Sequence, residues 1–102
     1  MRITVSSDAG VVQLHVAGEL DMATAHNLHK ALRQAVTQPG TTTILIDFDQ
    51  VSFCDSSGLE ALDRAYGEAI KAGITLRLLN PQPNVRRIFD LTCLLQTLTG
   101  SP

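Results

Sequence analysis

Two hydroxyls stand beside a carboxylate in Asp55-Ser56-Ser57-Gly58, where an apolar run gives way to an amphipathic one. A serine hydroxyl is a weak nucleophile unless a base takes its proton. No glycine stands two residues before either serine, as the elbow of a serine hydrolase requires, and His15, His26 and His29 all lie early in the chain. A kinase is excluded as well, because the chain has neither a G-x-x-x-x-G-K-S/T loop nor a glycine-rich phosphate cradle. Ser57 and Glu60 have the spacing of a capping box, in which the serine caps a helix and contributes about 1 kcal/mol. A helix start also offers free N–H groups and the positive end of a dipole, where a phosphate can be accommodated with little cost to the fold. Asp55 has two readings: it orients the loop or an incoming metal ion, or it bonds its own backbone in an Asx turn. His26 and His29 stand three apart on a helical stretch, but no cysteine or further histidine joins them at metal-ligating spacing. They read as solvated helix histidines, and no metal site or cofactor is expected.

The elements that must position these groups follow from periodicity. Ile3 to Ser6 alternates as a strand, Asp8-Ala9-Gly10 is a turn, and Val12, Leu14 and Val16 alternate in a second strand, so the chain opens with an antiparallel hairpin. From Met22 to Val36 the period becomes helical, with Ala25, Leu28 and Leu32 on one face, Asp21 placed to cap it and Pro39-Gly40 to end it. Thr43 to Phe48 is nearly continuous in apolar residues, the pattern of a strand buried on both faces. A helix from Gly58 to Ala72 carries Leu59, Leu62, Tyr66, Ala69 and Ile70 inward and Glu60, Arg64 and Glu68 outward, and Gly73 stops it. Ile74, Leu76 and Leu78 form another strand, Asn80 to Pro83 is a break, and Val85, Ile88 and Phe89 mark a third helix. Leu94 to Leu98 fits a short strand or a last helical turn.

The order β-β-α-β-α-β-α implies an α/β sandwich: a mixed sheet with an antiparallel hairpin at one edge, then parallel strands joined by right-handed helical crossovers. In such a sheet the strand-to-helix loops gather at the C-terminal ends of the strands, which is where Asp55-Ser56-Ser57 falls. At 102 residues the chain is one domain, and with 44% hydrophobic but only 4% aromatic residues its core must be aliphatic. A formal charge of −2 without a basic cluster argues against a nucleic-acid partner. No apolar run approaches the roughly 20 residues of a membrane helix, and the start of the chain is too short and polar for a signal peptide. Cys54 and Cys93 read as small buried hydrophobes and not as a disulfide framework. Together these features imply a cytoplasmic protein.

Gly18-Glu19-Leu20-Asp21, Asp55-Ser56-Ser57-Gly58-Leu59 and Val85-Arg86-Arg87-Ile88-Phe89-Asp90-Leu91 stand in the order and spacing of STAS domains. Over nearly its whole length, residues 1–102, the chain resembles the bacterial anti-sigma factor antagonists; it departs from that family at Thr92-Cys93, where a small residue or glycine is frequent. The resemblance implies that Ser57, the second serine of the pair, is phosphorylated by a serine kinase of the histidine-kinase-like ATPase fold that doubles as the anti-sigma factor. It implies a cognate serine phosphatase too, and a partner-binding surface of Asp21, Asp55, Ser56, Ser57, Gly58 and Leu59. Ser57 would then be a phosphoacceptor and not a catalyst, with base, nucleotide and Mg²⁺ supplied by the kinase. Unmodified protein would bind that partner, and phosphorylated protein would be released. The alternative within the same fold is a non-switching STAS accessory subunit of a transporter or larger signalling assembly.

Overall fold

The computed structural model describes residues 1–92. Strands β1 (Arg2–Asp8) and β2 (Val11–Leu20) form the antiparallel hairpin, in register from Arg2 opposite Ala17 to Asp8 opposite Val11. Their turn residues Ala9 and Gly10 both have positive φ, 51° and 86°, as a two-residue turn matched to strand twist requires. Strands β3 (Thr43–Cys54) and β4 (Thr75–Leu79) add in parallel, giving the sheet order β1-β2-β3-β4. Helices α1 (Ala25–Thr37), α2 (Ser56–Lys71) and α3 (Pro83–Thr92) complete the expected sequence of elements. None of these helices is long and apolar enough to cross a membrane.

One apolar cluster joins every layer. Val12, Leu14, Val16 and Leu20 of β2, Ile44, Ile46 and Phe48 of β3, and Leu76 and Leu78 of β4 are buried together with Leu28 and Leu32 of α1, Leu62 and Ala69 of α2, and Val85 of α3. The core is aliphatic as composition requires, with Phe48 its largest fully buried side chain. Strand β3 departs from expectation twice. It is buried on one face and only half-buried on the other, since Ile44, Ile46 and Phe48 are enclosed while Thr43, Leu45 and Asp47 are not. It also continues to Cys54, because pairing with β2 resumes after bulges between His15 and Ala17 and between Gly18 and Glu19. Those bulges break the two-residue period across Asp49 and Gln50, and the continuation carries the strand up to the serine pair.

Helix ends differ from the spacing-based reading for identifiable reasons. Helix α1 begins at Ala25 and not at Met22, because Asp21 turns the chain first: its Oδ1 accepts from the Ala23 and Thr24 N–H groups at 3.0 and 3.2 Å. Asp21 therefore closes an Asx turn ahead of the helix and does not cap it. Helix α2 ends in a Schellman arrangement, with Gly73 at φ 73° and the Ile74 N–H donating to the Ala69 carbonyl at 2.8 Å. Ile70, expected on its inner face, is 58% exposed; Leu59, Ala61, Leu62, Ala65 and Ala69 make that face instead. Helix α3 opens on Pro83, whose missing N–H is harmless at a first helical position. It is tied to the tail of β3 by Gln82 Nε2 donating to the Asp49 carbonyl (2.9 Å) and Asn84 Nδ2 to the Ser52 carbonyl (2.8 Å). Cys93 and the segment Leu94 to Leu98 lie outside the described residues.

Candidate functional site

The parallel strands β2 and β3 end side by side, Leu20 opposite Cys54, and the Asp55 N–H donates to the Leu20 carbonyl at 3.1 Å. This pairing sets the Asp21 turn beside the Asp55-Ser56-Ser57 junction, at the sheet edge where the residue order placed them. The Asp21 carboxylate stays within its own turn, where it also accepts from the Thr24 hydroxyl at 3.2 Å.

The cap of α2 is Asp55, and the expected Ser57–Glu60 capping box is not formed. Asp55 is extended (φ −106°, ψ −171°), and its Oδ1 accepts from the Ser57 N–H at 2.9 Å and the Gly58 N–H at 3.4 Å. Of the two readings of Asp55, the Asx geometry is the one seen. Aspartate precedes the serine pair and starts the helix two residues earlier, so the Leu59 N–H that a Ser57 cap could have taken already donates to the Asp55 carbonyl at 3.2 Å. Ser57 becomes the second residue of the helix, half-buried, with its hydroxyl outside the cap, while Ser56 is exposed. One expectation changes with this: the N–H groups that would receive a phosphate on Ser57 already hold a carboxylate.

Gly58 and Leu59, named with the partner surface, also position the site. Both are buried, and a Cβ on Gly58 would lie 2.7 Å from Cys54 Sγ and from Leu20 Cγ. Only glycine lets α2 come down this closely on the strand ends. Beneath it, Cys54 is 1% exposed, and its thiol is pushed up to about 12 by burial and, secondarily, by the charge of Asp55. It behaves as the buried hydrophobe the sequence suggested. A raised thiol pKa means that the unfolded chain loses its proton first. Stability should hold below about pH 9 and then fall toward pH 12, by up to about 1.4 kcal/mol per unit. Urea unfolding at pH 8 and pH 10 checks this: Cys54→Val should reduce the loss of stability between the two, and an unchanged pH dependence in that variant would refute the assignment.

Ser57 opens into a groove of about 330 Å³ between α1 and α2, lined by Met22, Ala25, His26, His29, Ser57, Glu60, Ala61 and Arg64. Here the structure corrects two expectations. His26 and His29 share the groove with Ser57 although more than 25 residues separate them in sequence, and His29 is not simply solvated, since its Nε2 lies 3.3 Å from Glu68 Oε1 across the helix pair. The helical spacing of residues 22, 25/26 and 29 and of 57, 60/61 and 64 was a signal for two facing stripes, but only the packing of α1 on α2 shows that they face each other. Met22 at 81% and Phe53 at 45% exposure, neither singled out by motif, leave large apolar groups at this end of the molecule. Across β2 and β3, His15 Nε2 lies 3.0 Å from Asp49 Oδ1, with the Asp47 carboxylate beside them.

The STAS domain family model matches residues 2–101. The anti-sigma-F factor antagonist RsfB of Mycobacterium tuberculosis is 33% identical over 78 residues, 74% of this chain but only 63% of that protein's own length. The anti-sigma F factor antagonist of Lysinibacillus sphaericus is 34% identical over 82 residues, 79% of this chain and 69% of the relative. Among solved structures, the anti-sigma factor antagonist SpoIIAA in its unphosphorylated form superposes with a TM-score of 0.83 at 27% identity, covering 96% of this chain and 85% of that one. Its phosphorylated form, described as a Bacillus cell fate determinant, gives 0.76 at 26% identity, covering 96% and 88%. The chain belongs to the STAS-domain family, and the curated relatives it matches are anti-sigma factor antagonists.

Proposed function

We propose that this protein is an anti-sigma factor antagonist that works as a phosphorylatable partner switch, with Ser57 as phosphoacceptor. The observation that carries the reading is the placement of Ser57: half-buried, free of the cap, and facing an open groove at the sheet edge where the Asp21 turn also lies. The chain supplies a substrate hydroxyl, to which no base is hydrogen-bonded among the described residues. A serine-kinase anti-sigma factor binds the unmodified form and transfers the γ-phosphoryl group of ATP. The Ser57 Oγ–P bond forms, the bond from Pγ to the bridging oxygen of ADP breaks, and the hydroxyl proton passes to a base of the kinase. A serine phosphatase reverses the change by hydrolysis. The phosphorylated state of SpoIIAA supports the reading by family.

The test is direct. Incubated with ATP and the kinase encoded alongside it, the protein should gain one phosphate by mass, retained in Ser56→Ala and lost in Ser57→Ala. Transfer that persists in Ser57→Ala would move the acceptor elsewhere. No transfer with any such kinase would favour the non-switching accessory role.

A further inference from the structure

A phosphoryl group on Ser57 meets a helix start held by Asp55 and, on its other side, the open groove between α1 and α2. The Ser57 and Gly58 N–H groups are held by the Asp55 carboxylate, so a phosphate turned that way would have to displace a like charge. In the groove, Arg64 forms no ion pair or hydrogen bond among the described residues, and neither does the exposed His26; His29 is engaged with Glu68. Ser57, Ala61 and Arg64 lie on one face of α2, and seven residues of helix separate the ends by about 10 Å along the axis. Side chains lean toward the helix N-terminus, which carries the long arginine back toward the serine. Between them on the helix stand Ala61, small and 6% exposed, and Glu60.

We infer that the groove between α1 and α2 is a receptor for the chain's own phosphoserine. The phosphomonoester on Ser57 swings away from Asp55 into the groove, where the Arg64 guanidinium binds it and the His26 ring N–H donates to it. Arginine suits the task because its planar fork meets two phosphate oxygens at once. Glu60 lines the same groove and opposes the binding, as does Asp55 at the cap, so the phosphate is held by a specific contact and not by a generally basic surface. The modified protein is then a second, filled-groove state of the same fold. Its biological meaning rests on the proposed switch.

The experiment installs phosphoserine at position 57 by genetic encoding, so that it depends on no kinase, and follows its second ionisation by ³¹P NMR in the full chain. An unperturbed phosphoserine titrates near 6. In the folded wild type this value should fall by about one unit relative to the same protein in urea. Arg64→Gln should return it most of the way, and Glu60→Gln should lower it further. Arg64→Gln should also depress the melting temperature of the phosphoserine form more than that of the unmodified form. A titration unchanged by Arg64→Gln, or equal losses of melting temperature, would overturn the inference. Failure of every kinase to modify Ser57 would refute the switch and leave this result standing; a kinase-modified Ser57 with an arginine-insensitive titration would refute the receptor alone.

Discussion

Phosphorylation of Ser57 is expected to weaken binding of the kinase/anti-sigma partner at least about a hundredfold, the consequence of a charge clash of several kcal/mol at about 1.4 kcal/mol per tenfold. The modification adds about −1.5 to −2 charges. A helix N-terminus would ordinarily soften that charge, but Asp55 already holds the Ser57 and Gly58 N–H groups and contributes a negative charge of its own. The new charge therefore acts on the groove and on whatever docks over it. Met22, 81% exposed on the wall of the groove, gives that docking an apolar contact, since exposed large side chains beside a site commonly carry binding energy. Calorimetry on the unmodified, phosphorylated and Ser57→Asp forms measures the effect, and repetition at higher salt separates its screened part. Ser57→Asp, with a shorter reach and a single charge, should lose less than the phosphorylated form. Equal affinity of the unmodified and phosphorylated forms would end the partner-switch account.

The elements that sequence periodicity identified are those in which a single rule governs the pattern. The alternation of Val12, Leu14 and Val16 is set by one buried sheet face, and the stop at Gly73 by a left-handed backbone. Where two rules compete, spacing misleads. Ser57 and Glu60 satisfy the capping-box pattern, yet Asp55 caps the Ser57 and Gly58 N–H groups and starts the helix two residues earlier, which places Ser57 inside it. Bulges hide the second half of β3, since each shifts the period by one residue. Ile70 fits an apolar helical stripe but faces solvent, because small residues at Ala61, Ala65 and Ala69 let α2 lie lower on a neighbouring face. Of the candidate site, the motif located the serine pair and the turn aspartate. It did not locate Arg64, His26 or Met22, whose proximity to Ser57 exists only after α1 packs on α2. The motif residues Gly58 and Leu59 belong to the packing that makes the site possible.

That packing gives a second large effect. Leu20 is fully buried at the end of β2, and Leu20→Ala should cost about 2–5 kcal/mol through lost transfer energy and the cavity left behind. Gly58→Ala should also destabilise, by about 1–3 kcal/mol of overpacking, although alanine is intrinsically the better helix former by about 1 kcal/mol. The reason is distance: the added methyl would lie 2.7 Å from Leu20 Cγ, 2.8 Å from Leu20 Cδ2 and 2.7 Å from Cys54 Sγ, so the first turn of α2 must lift from the strand ends. In the double variant the alanine methyl enters space that Leu20 has vacated. The two costs should therefore fall short of their sum by about 1 kcal/mol or more, the size of coupling expected for residues in contact. The contact with Cys54 remains, so the relief is partial. Urea unfolding of the four proteins gives the coupling directly, and strict additivity would show that the clash with Leu20 is not what excludes a side chain at position 58. Because Ser57 is carried on the same turn, Gly58→Ala should also slow phosphoryl transfer to it, and Leu20→Ala in that background should restore part of the rate despite its lower stability. A recovery of rate at the expense of stability is something a general loss of folding cannot produce, and it would tie the close approach of α2 to the presentation of Ser57.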